Sequence, residues 1–191
     1  MRTNDRVKKL KRVIDYKQKD LTVVFDNIHD PHNISAVMRT CESVGVNDVH
    51  IIDKMDQPSL GKRSSASAVK WLNVHNHTSF QDFAIKMKGS CQIISTVLDD
   101  KATSVYDIDL TKPTAIVLGN EKDGISNNIQ TKSDLIVKVP MFGLIQSLNV
   151  SVAAAVILYE ALRQRLSKSL YPNNKLELEW KQNKLESWIK K

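Results

Sequence analysis

Apolar residues recur every three to four positions near the start of the chain, with basic residues between them, in the segment "RVKKLKRVIDYKQ" (6–18). This spacing predicts a basic amphipathic helix. Its apolar positions are Val7, Leu10, Val13 and Ile14.

The next segment, "LTVVFDNI" (21–28), is rich in β-branched residues and predicts a buried strand. Asn33 is placed to cap a helix from Ile34 to about Val44 that Gly45 closes, and "DVHIID" (48–53) predicts a second strand. Strand, capped helix, glycine and strand form a βαβ unit, which implies parallel strands joined by a right-handed crossover.

Helix and strand patterns continue to alternate toward the C terminus, so we predict an α/β fold with a parallel sheet and a helical extension at each end. The expected organisation is one main domain (21–167) between a basic N-terminal helix (1–20) and a C-terminal extension (168–191). The further elements are a helix at 79–88, strands at 91–98, 114–119 and 134–140, a long helix at 148–166 and an amphipathic helix at 176–191.

Charge is concentrated at the ends of the chain. The 191 residues include 28 Lys and Arg and 21 Asp and Glu, a formal net charge of +7. Residues 1–20 hold eight basic and three acidic side chains (+5) and residues 160–191 eight basic and four acidic (+4), which leaves the middle at −2. This distribution is typical of a periphery that binds a polyanion, and equally of two solvated helix faces.

Composition disfavours several other classes of protein. Cys41 and Cys91 form no CxxC pair and the histidines no HExxH spacing, so we expect no metal and a cytoplasmic protein. His29 and His32 are better explained as turn residues than as ligands. The charged N terminus does not resemble a signal peptide, and no apolar stretch reaches the ~18 residues of a membrane span. The phosphate-binding motifs GxxxxGK[ST] and GxGxxG do not occur, which disfavours a P-loop NTPase and a Rossmann dehydrogenase.

Three polar segments carry the candidate chemistry, because ligands of an open parallel sheet bind where strands end and loops diverge. They are "HNISAVMRT" (32–40), "LGNEKDGIS" (118–126) and "VPMFGLIQSLNVSVA" (139–153). Each also has a purely structural explanation, with Asn33 or Ser147 as a helix cap and Gly119 and Gly124 as turn residues. The long polar connection at 54–70 is a further candidate for a functional loop.

Together and in this order, the three segments resemble the three motifs of the SPOUT class of RNA ribose methyltransferases, and in particular its TrmH family. The resemblance covers nearly the whole chain. It looks most similar to bacterial members that methylate the ribose 2′-oxygen of the guanosine at position 18, in the D-loop of tRNA. It implies S-adenosylmethionine as cofactor, tRNA as partner, and a deep trefoil knot in which the third motif is threaded through a loop. It also implies a homodimer, with which the apolar run "VSVAAAVILYEAL" is compatible.

The resemblance assigns roles to residues at the motif positions. The implied catalytic residues are Asn33 and Arg39 of the first motif, Glu121 of the second, and Ser147 and Asn149 of the third. The implied cofactor-binding residues are Thr96, Leu118, Gly119, Val139, Met141 and Leu148, and no metal is implied.

Methylation of a ribose requires in-line attack of a hydroxyl oxygen on the sulfonium methyl group, and the hydroxyl must lose its proton. The resemblance points to Arg39 for this step. A guanidinium has a pKa above about 12 and normally stays charged. Arg39 can instead clamp the adjoining phosphate and stabilise developing oxyanion charge, with the proton passing to phosphate or water. Glu121 is the carboxylate alternative as base, or a group that holds Arg39 or Asn33 in place.

Two other functions remain compatible with the sequence. A ribosomal RNA ribose methyltransferase of the same family would use the same motifs, although such proteins usually carry a separate N-terminal RNA-binding domain. A protein that binds RNA through its basic ends without catalysis would explain the charge distribution, but not the polar residues of the three motifs.

Overall fold

A computed structural model describes residues 4–52, 68–87, 89–120 and 123–191. The described residues form seven strands and six α-helices, with short 3₁₀ turns at 69–71 and 105–107. The strands are β1 (Gln18–Asp26), β2 (Val46–Ile52), β3 (Asn73–His77), β4 (Gln92–Thr96), β5 (Thr103–Ser104), β6 (Thr114–Leu118) and β7 (Leu135–Lys138). The helices are α1 (Asn4–Asp15), α2 (Pro31–Ser43), α3 (Phe80–Met87), α4 (Asn127–Gln130), α5 (Val150–Ser167) and α6 (Leu178–Ile189).

All seven strands belong to one parallel sheet in the order β3-β2-β1-β6-β4-β7-β5. β1 lies between β2 and β6, with Val23 opposite Val49 on one side and Ile116 on the other. A central parallel strand is covered on both faces, which explains why residues 21–25 of β1, apolar except for Thr22, are all buried. The predicted α/β fold with a parallel sheet is therefore confirmed.

Helices cover both faces of the sheet. On one face, α2 and α5 pack against the strands through residues such as Met38 and Leu158, both fully buried. On the other face, Phe83 of α3 and Ile129 of α4 contact Val24 and its neighbours. None of the described helices has the length and apolar character needed to cross a membrane.

Arg165, near the end of α5, is fully buried and joins three parts of the chain. Its Nε and Nη2 donate to the carbonyl oxygens of Leu110 and Lys112, each at 2.9 Å. Its Nη1 donates to Gln18 Oε1 at 2.9 Å and to Asp20 Oδ1 at 2.6 Å. Because a buried guanidinium is tolerated only when its donors find partners, these bonds fix the end of α5 against β1 and the segment before β6.

The two terminal helices pack against each other beside the start of β3. Leu10 and Ile14 of α1 form one cluster with Trp188 of α6, whose ring meets that of Trp71 edge-on at 5.1 Å. Lys17 donates through Nζ to a carbonyl of β2 at 3.0 Å and lies 5.5 Å from the centre of the Trp188 ring. Burial lowers the pKa of Lys17 to about 8.

The prediction that Asn33 caps α2 is wrong. The cap is Asp30, whose side chain accepts from the His32 amide at 2.9 Å, and Pro31 fills the first helical position. Proline is favoured there because it has no amide hydrogen to satisfy and its φ is already helical. The helix therefore begins at Pro31, three residues before the predicted start at Ile34, and Asn33 lies buried in its first turn.

α2 ends before Gly45, as the sequence predicted. Gly45 has a φ of +82°, a conformation that glycine adopts without steric cost, and a Cβ there would collide with the carbonyl oxygen of Tyr16.

Sequence patterns missed β3, β5 and α4 and placed the other boundaries within three residues. β5 and α4 are too short to show a period. β3 reads "NVHNH", which lacks the apolar run expected of a strand. The predicted functional loop at 54–70 lies outside the described residues except for its last three positions.

The polar residues of β3 form a histidine cluster with β2. His50 Nδ1 lies 2.8 Å from His77 Nε2, and the His50 ring stacks on His75 with 4.8 Å between centroids. His75 Nε2 lies 2.8 Å from Asp48 Oδ1, and Phe83 packs edge-on against His50. Burial, helped by the two neighbouring histidines, lowers the pKa of His50 to about 4.

We predict that acid weakens the fold through this cluster. Between the ordinary histidine pKa near 6.5 and the folded pKa near 4, the unfolded chain binds a proton at His50 that the folded chain does not, so stability is lost as pH falls. His50→Gln keeps an amide for His77 but cannot ionise, and should remove on the order of 2 kcal/mol of this loss. Urea unfolding at pH 7 and pH 4.5 measures it. An equal loss in both proteins would contradict the prediction.

Candidate active site

A cavity of about 690 Å³ opens where β4, β6 and β7 end and α5 begins. The carboxyl ends of parallel strands converge at this edge of the sheet, the usual place for a ligand. Of the residues that the sequence predicts for the cofactor, Leu118 is fully buried in β6 and does not line the cavity. Those that do are Thr96, Gly119, Val139, Met141 and Leu148, together with Ser147 and Asn149.

The ends of β4 and β6 are fixed by local hydrogen bonds. Thr96 Oγ1 donates to the carbonyl oxygen of Val117 at 3.1 Å, which ties the two strand ends together. Beyond β6, Asn120 and Gly124 exchange backbone hydrogen bonds of 3.1 and 2.9 Å. This turn folds so closely over Gly119 that a Cβ there would collide with the Gly124 backbone. Glycine is therefore required at position 119 because two backbone segments approach each other closely there. The sequence pattern had explained Gly119 only as a turn residue.

Glu121, the predicted carboxylate of the second motif, lies outside the described residues. Its predicted role as base or positioning group stays a prediction.

Asn149 joins the third motif to the first. Its Oδ1 accepts from the Ser151 amide at 2.8 Å and from Ser151 Oγ at 2.6 Å, so Asn149 caps α5. Its Nδ2 donates to Asn33 Oδ1 at 3.1 Å. Ser147, which the sequence also suggested as the cap, is exposed two residues earlier on the cavity wall. Two asparagines that are 116 positions apart in the chain thus meet at the cavity rim.

Arg39 lies on the opposite side of α2 from this contact. Asn33 faces inward and is buried, whereas Arg39 is exposed and does not line the described part of the cavity. Six residues along a helix turn a side chain through about 240°, so the two motif residues cannot share a face. The guanidinium is therefore accessible from outside α2.

The cavity has a distinct charge. Among the described residues that line it there is no Lys, Arg or His, while Asp99 and Asp123 contribute carboxylates. The N-terminus of α5 lies at this cavity, but no cation of the described lining would accompany it and the two carboxylates would repel a phosphate, so this lining disfavours a nucleotide phosphate. It suits a ligand with a positive centre and an apolar body. Within the described residues, no group of three or more His, Cys, Asp or Glu is placed to hold a metal ion.

Comparison with known proteins gives one consistent result. The model of the SpoU rRNA Methylase family matches residues 20–159. A relative from Thermus thermophilus, named tRNA (guanosine(18)-2′-O)-methyltransferase, is 39% identical over 191 residues, which is 100% of this chain and 98% of that protein.

Two solved structures are also similar. The A. aeolicus TrmH/SpoU tRNA modifying enzyme matches with a TM-score of 0.90 and 36% identity over 97% of this chain and 95% of that one. The SpoU methyltransferase AviRb from Streptomyces viridochromogenes, in complex with the cofactor AdoMet, matches with a TM-score of 0.64 and 30% identity over 78% of this chain and 60% of that one. The family resemblance predicted from the three motifs is confirmed, and the chain belongs to the SpoU methylase family.

Proposed function

We propose that this chain transfers the methyl group of S-adenosylmethionine to the ribose 2′-oxygen of guanosine 18 in the D-loop of tRNA. The observation that carries the proposal is the hydrogen bond between Asn149 and Asn33, at the rim of a cavity that the second and third motifs line. It brings the three motifs together at one site. The full-length match to a tRNA (guanosine(18)-2′-O)-methyltransferase supports the choice of substrate.

The cavity residues fit S-adenosylmethionine. Val139, Met141 and Leu148 offer apolar surface for an adenine ring, and the strand ends beside Gly119 present backbone groups that can read its polar edge. The nearby carboxylates of Asp99 and Asp123 are compatible with the cationic sulfonium and amino groups. The cofactor supplies an electrophilic methyl group. In the transfer, the ribose oxygen would bond to that carbon as the carbon–sulfur bond breaks to leave S-adenosylhomocysteine, and the hydroxyl proton would pass to the adjoining phosphate or to water.

Arg39 acts on the RNA side of this reaction. Its exposed guanidinium presents a fork of donors that matches a phosphate, and a fixed positive charge stabilises the developing oxyanion. Since Arg39 is exposed and does not line the described part of its own cavity, we propose that it serves the cofactor site of a partner subunit. Asn33 and Asn149 position the start of α5, and Ser147 lies on the cavity wall beside them.

The surface beside the cavity supports a homodimer. Phe142, Leu144 and Ile145 are exposed by 98%, 103% and 71%, and on the adjoining α5 Val152 and Tyr159 are about half exposed. A contiguous apolar surface of this kind is unfavourable in water and typical of a protein interface. A two-fold contact through this surface would cover it on both subunits.

The contacts of α5 support a knotted chain. Gln164 donates to the carbonyl oxygen of Ile108 at 3.0 Å and accepts from the Leu110 amide at 2.8 Å, beside the bonds that Arg165 makes to the same segment. The helix that follows the third motif is thus held beneath the connection between β5 and β6. We propose that this connection is the loop through which the C-terminal part of the chain is threaded, as in the deep trefoil knot of this class.

A ribosomal RNA substrate is the alternative, and the family description itself names it. The relative named as a tRNA methyltransferase, however, is matched over 98% of its length and 100% of this chain, which favours tRNA. We further propose that the basic extension at 1–20, with the C-terminal extension at 168–191, binds RNA.

We predict that the protein methylates unmodified tRNA transcripts at the guanosine 18 ribose and that Arg39→Ala lowers turnover by at least about a hundredfold, because transition-state charge loses its stabilising cation. S-adenosylmethionine affinity should hardly change. Labelled methyl transfer, followed by nuclease digestion and mass spectrometry, measures turnover and the position of the methyl group. Calorimetry measures the affinity for S-adenosylmethionine. Near-normal turnover of Arg39→Lys would contradict the need for a guanidinium fork.

Dimers of two different variants test whether Arg39 acts in the site of its own subunit or in that of its partner. Equal amounts of Arg39→Ala and Asn149→Ala chains, exchanged under mild denaturant, give heterodimers in which one site has both residues if Arg39 acts on its partner. Activity should then return to about a quarter of the wild-type value. No recovery, although light scattering shows dimers, would place Arg39 in its own subunit's site.

We predict that the two roles of Asn149 can be separated. Asn149→Ser keeps a good N-cap but loses the amide donor to Asn33, whereas Asn149→Ala loses both. Both variants should lose roughly tenfold or more in turnover, while only Asn149→Ala should lose about 1 kcal/mol of stability. Steady-state kinetics and urea unfolding measure the pair. Wild-type turnover in Asn149→Ser would show that the Asn33 contact is not needed.

A further inference from the structure

A groove runs between α1 and α6 and shares no described residue with the active-site cavity. It consists of two adjoining cavities of about 460 and 490 Å³, which we call the terminal groove. The two parts meet at Asp15 and Lys181, whose Oδ1 and Nζ atoms lie 2.8 Å apart. Neither residue belongs to the methyl-transfer site, so the groove needs another explanation.

The first part of the terminal groove has an apolar floor. Ile14 of α1 and Leu185 of α6 form it, where the two helices separate above their shared cluster. Gln182 and Glu186 stand at its edge, with Gln182 Nε2 3.4 Å from Glu186 Oε1. An apolar floor beside an amide and a carboxylate offers surface for a planar ring together with donors and acceptors for its edge.

The second part has an aromatic wall. Tyr16 is 40% exposed and packs against Tyr171 with 6.4 Å between ring centroids, which leaves part of its ring open to the groove. Arg12 stands beside it and is exposed. An aromatic ring next to an arginine is a recurring stacking platform for an unpaired base.

The charge of the groove is positive on the side of α1. Asp15 is paired with Lys181. This leaves Lys11 and Arg12 against Glu186 among the charged lining residues, a net charge of +1. A groove meant for an apolar peptide would gain nothing from these cations, whereas a nucleic acid backbone would. The exposed basic residues of α1 are Arg6, Lys8, Lys9, Lys11 and Arg12.

We propose that the terminal groove binds two consecutive unpaired nucleotides of the tRNA substrate. One base lies over Ile14 and Leu185 and the next stacks on Tyr16, while Lys11 and Arg12 contact the phosphates. Only unpaired nucleotides can present their ring faces in this way, because bases in a duplex are stacked on each other. The inference rests on the proposed tRNA substrate and adds a place where loop nucleotides are held away from the reacting ribose.

The test compares groove variants with a matched control on the same helix. Tyr16→Ala should raise the Kd for an unmodified tRNA transcript roughly tenfold with an unchanged salt dependence, and Tyr16→Phe should bind like the wild type. Lys11→Ala should weaken binding and lower the slope of log Kd against log salt by about one. Lys9→Ala is the matched control, because the Lys9 side chain does not line the groove, and it should change both the affinity and the slope less than Lys11→Ala does. S-adenosylmethionine affinity should stay unchanged in all four, because the groove shares no described residue with the cofactor cavity.

Photo-crosslinking tests the inference on the wild-type protein, so the result does not depend on the stability of a variant. Transcripts that carry 4-thiouridine at loop positions, bound to the wild-type protein, should crosslink to peptides that contain Tyr16 or Leu185. Crosslinks confined to other peptides, or wild-type affinity in both Tyr16→Ala and Lys11→Ala, would overturn the inference. If the wild-type protein binds tRNA but methylates none, the proposed function fails while the crosslinks still show whether the groove binds RNA.

Discussion

The buried guanidinium of Arg165 determines where the third motif lies. It bonds to the start of β1 and to carbonyls of Leu110 and Lys112, and so fixes the C-terminal end of α5 in the interior. An 18-residue helix is rigid on this scale, so its N-terminal end is fixed as well. That end carries Asn149, which reaches Asn33 and completes the cavity rim. Loss of Arg165 would leave several buried acceptors without donors. It would therefore lower the stability of the fold and also displace the end of α5 that carries Asn149.

The sequence revealed the parts of the fold whose patterns are local. β1 was recognised because residues 21–25, β-branched or apolar, are buried on both faces of the sheet, and α5 was recognised because an apolar helix of that length has few alternatives. β3 was missed because only His77 of its five residues is buried, where it bonds to His50 of β2, so the side chains of β3 look like those of a loop. The cap of α2 was misassigned because Asp30 followed by Pro31 is a stronger start signal than Asn33.

The sequence predicted a set of site residues but not their arrangement. Five of the six residues expected at the cofactor line one cavity, which the family resemblance implied and no spacing rule could have derived. The bond between Asn149 and Asn33 depends on the path of α5 through the interior, and the orientation of Arg39 on the course of α2. Both are tertiary properties. The exposed apolar loop at Phe142 and Leu144 lies beside the same cavity, so a partner subunit that covers it could also bring its Arg39 to the reacting ribose.

The cavity, lined by two carboxylates and no described cation, and the basic helix α1 are two regions of opposite charge, which we propose to serve the cofactor and the RNA. The central claim is that together they modify one ribose of tRNA. The most direct test is to express the chain in a bacterial strain whose tRNA lacks 2′-O-methylation at guanosine 18, and to map ribose methylation across all tRNA and ribosomal RNA. The account predicts that the methyl group returns at guanosine 18 and at no ribosomal position. Unmodified guanosine 18 in cells that accumulate the folded protein, or new methylation in ribosomal RNA, would contradict it.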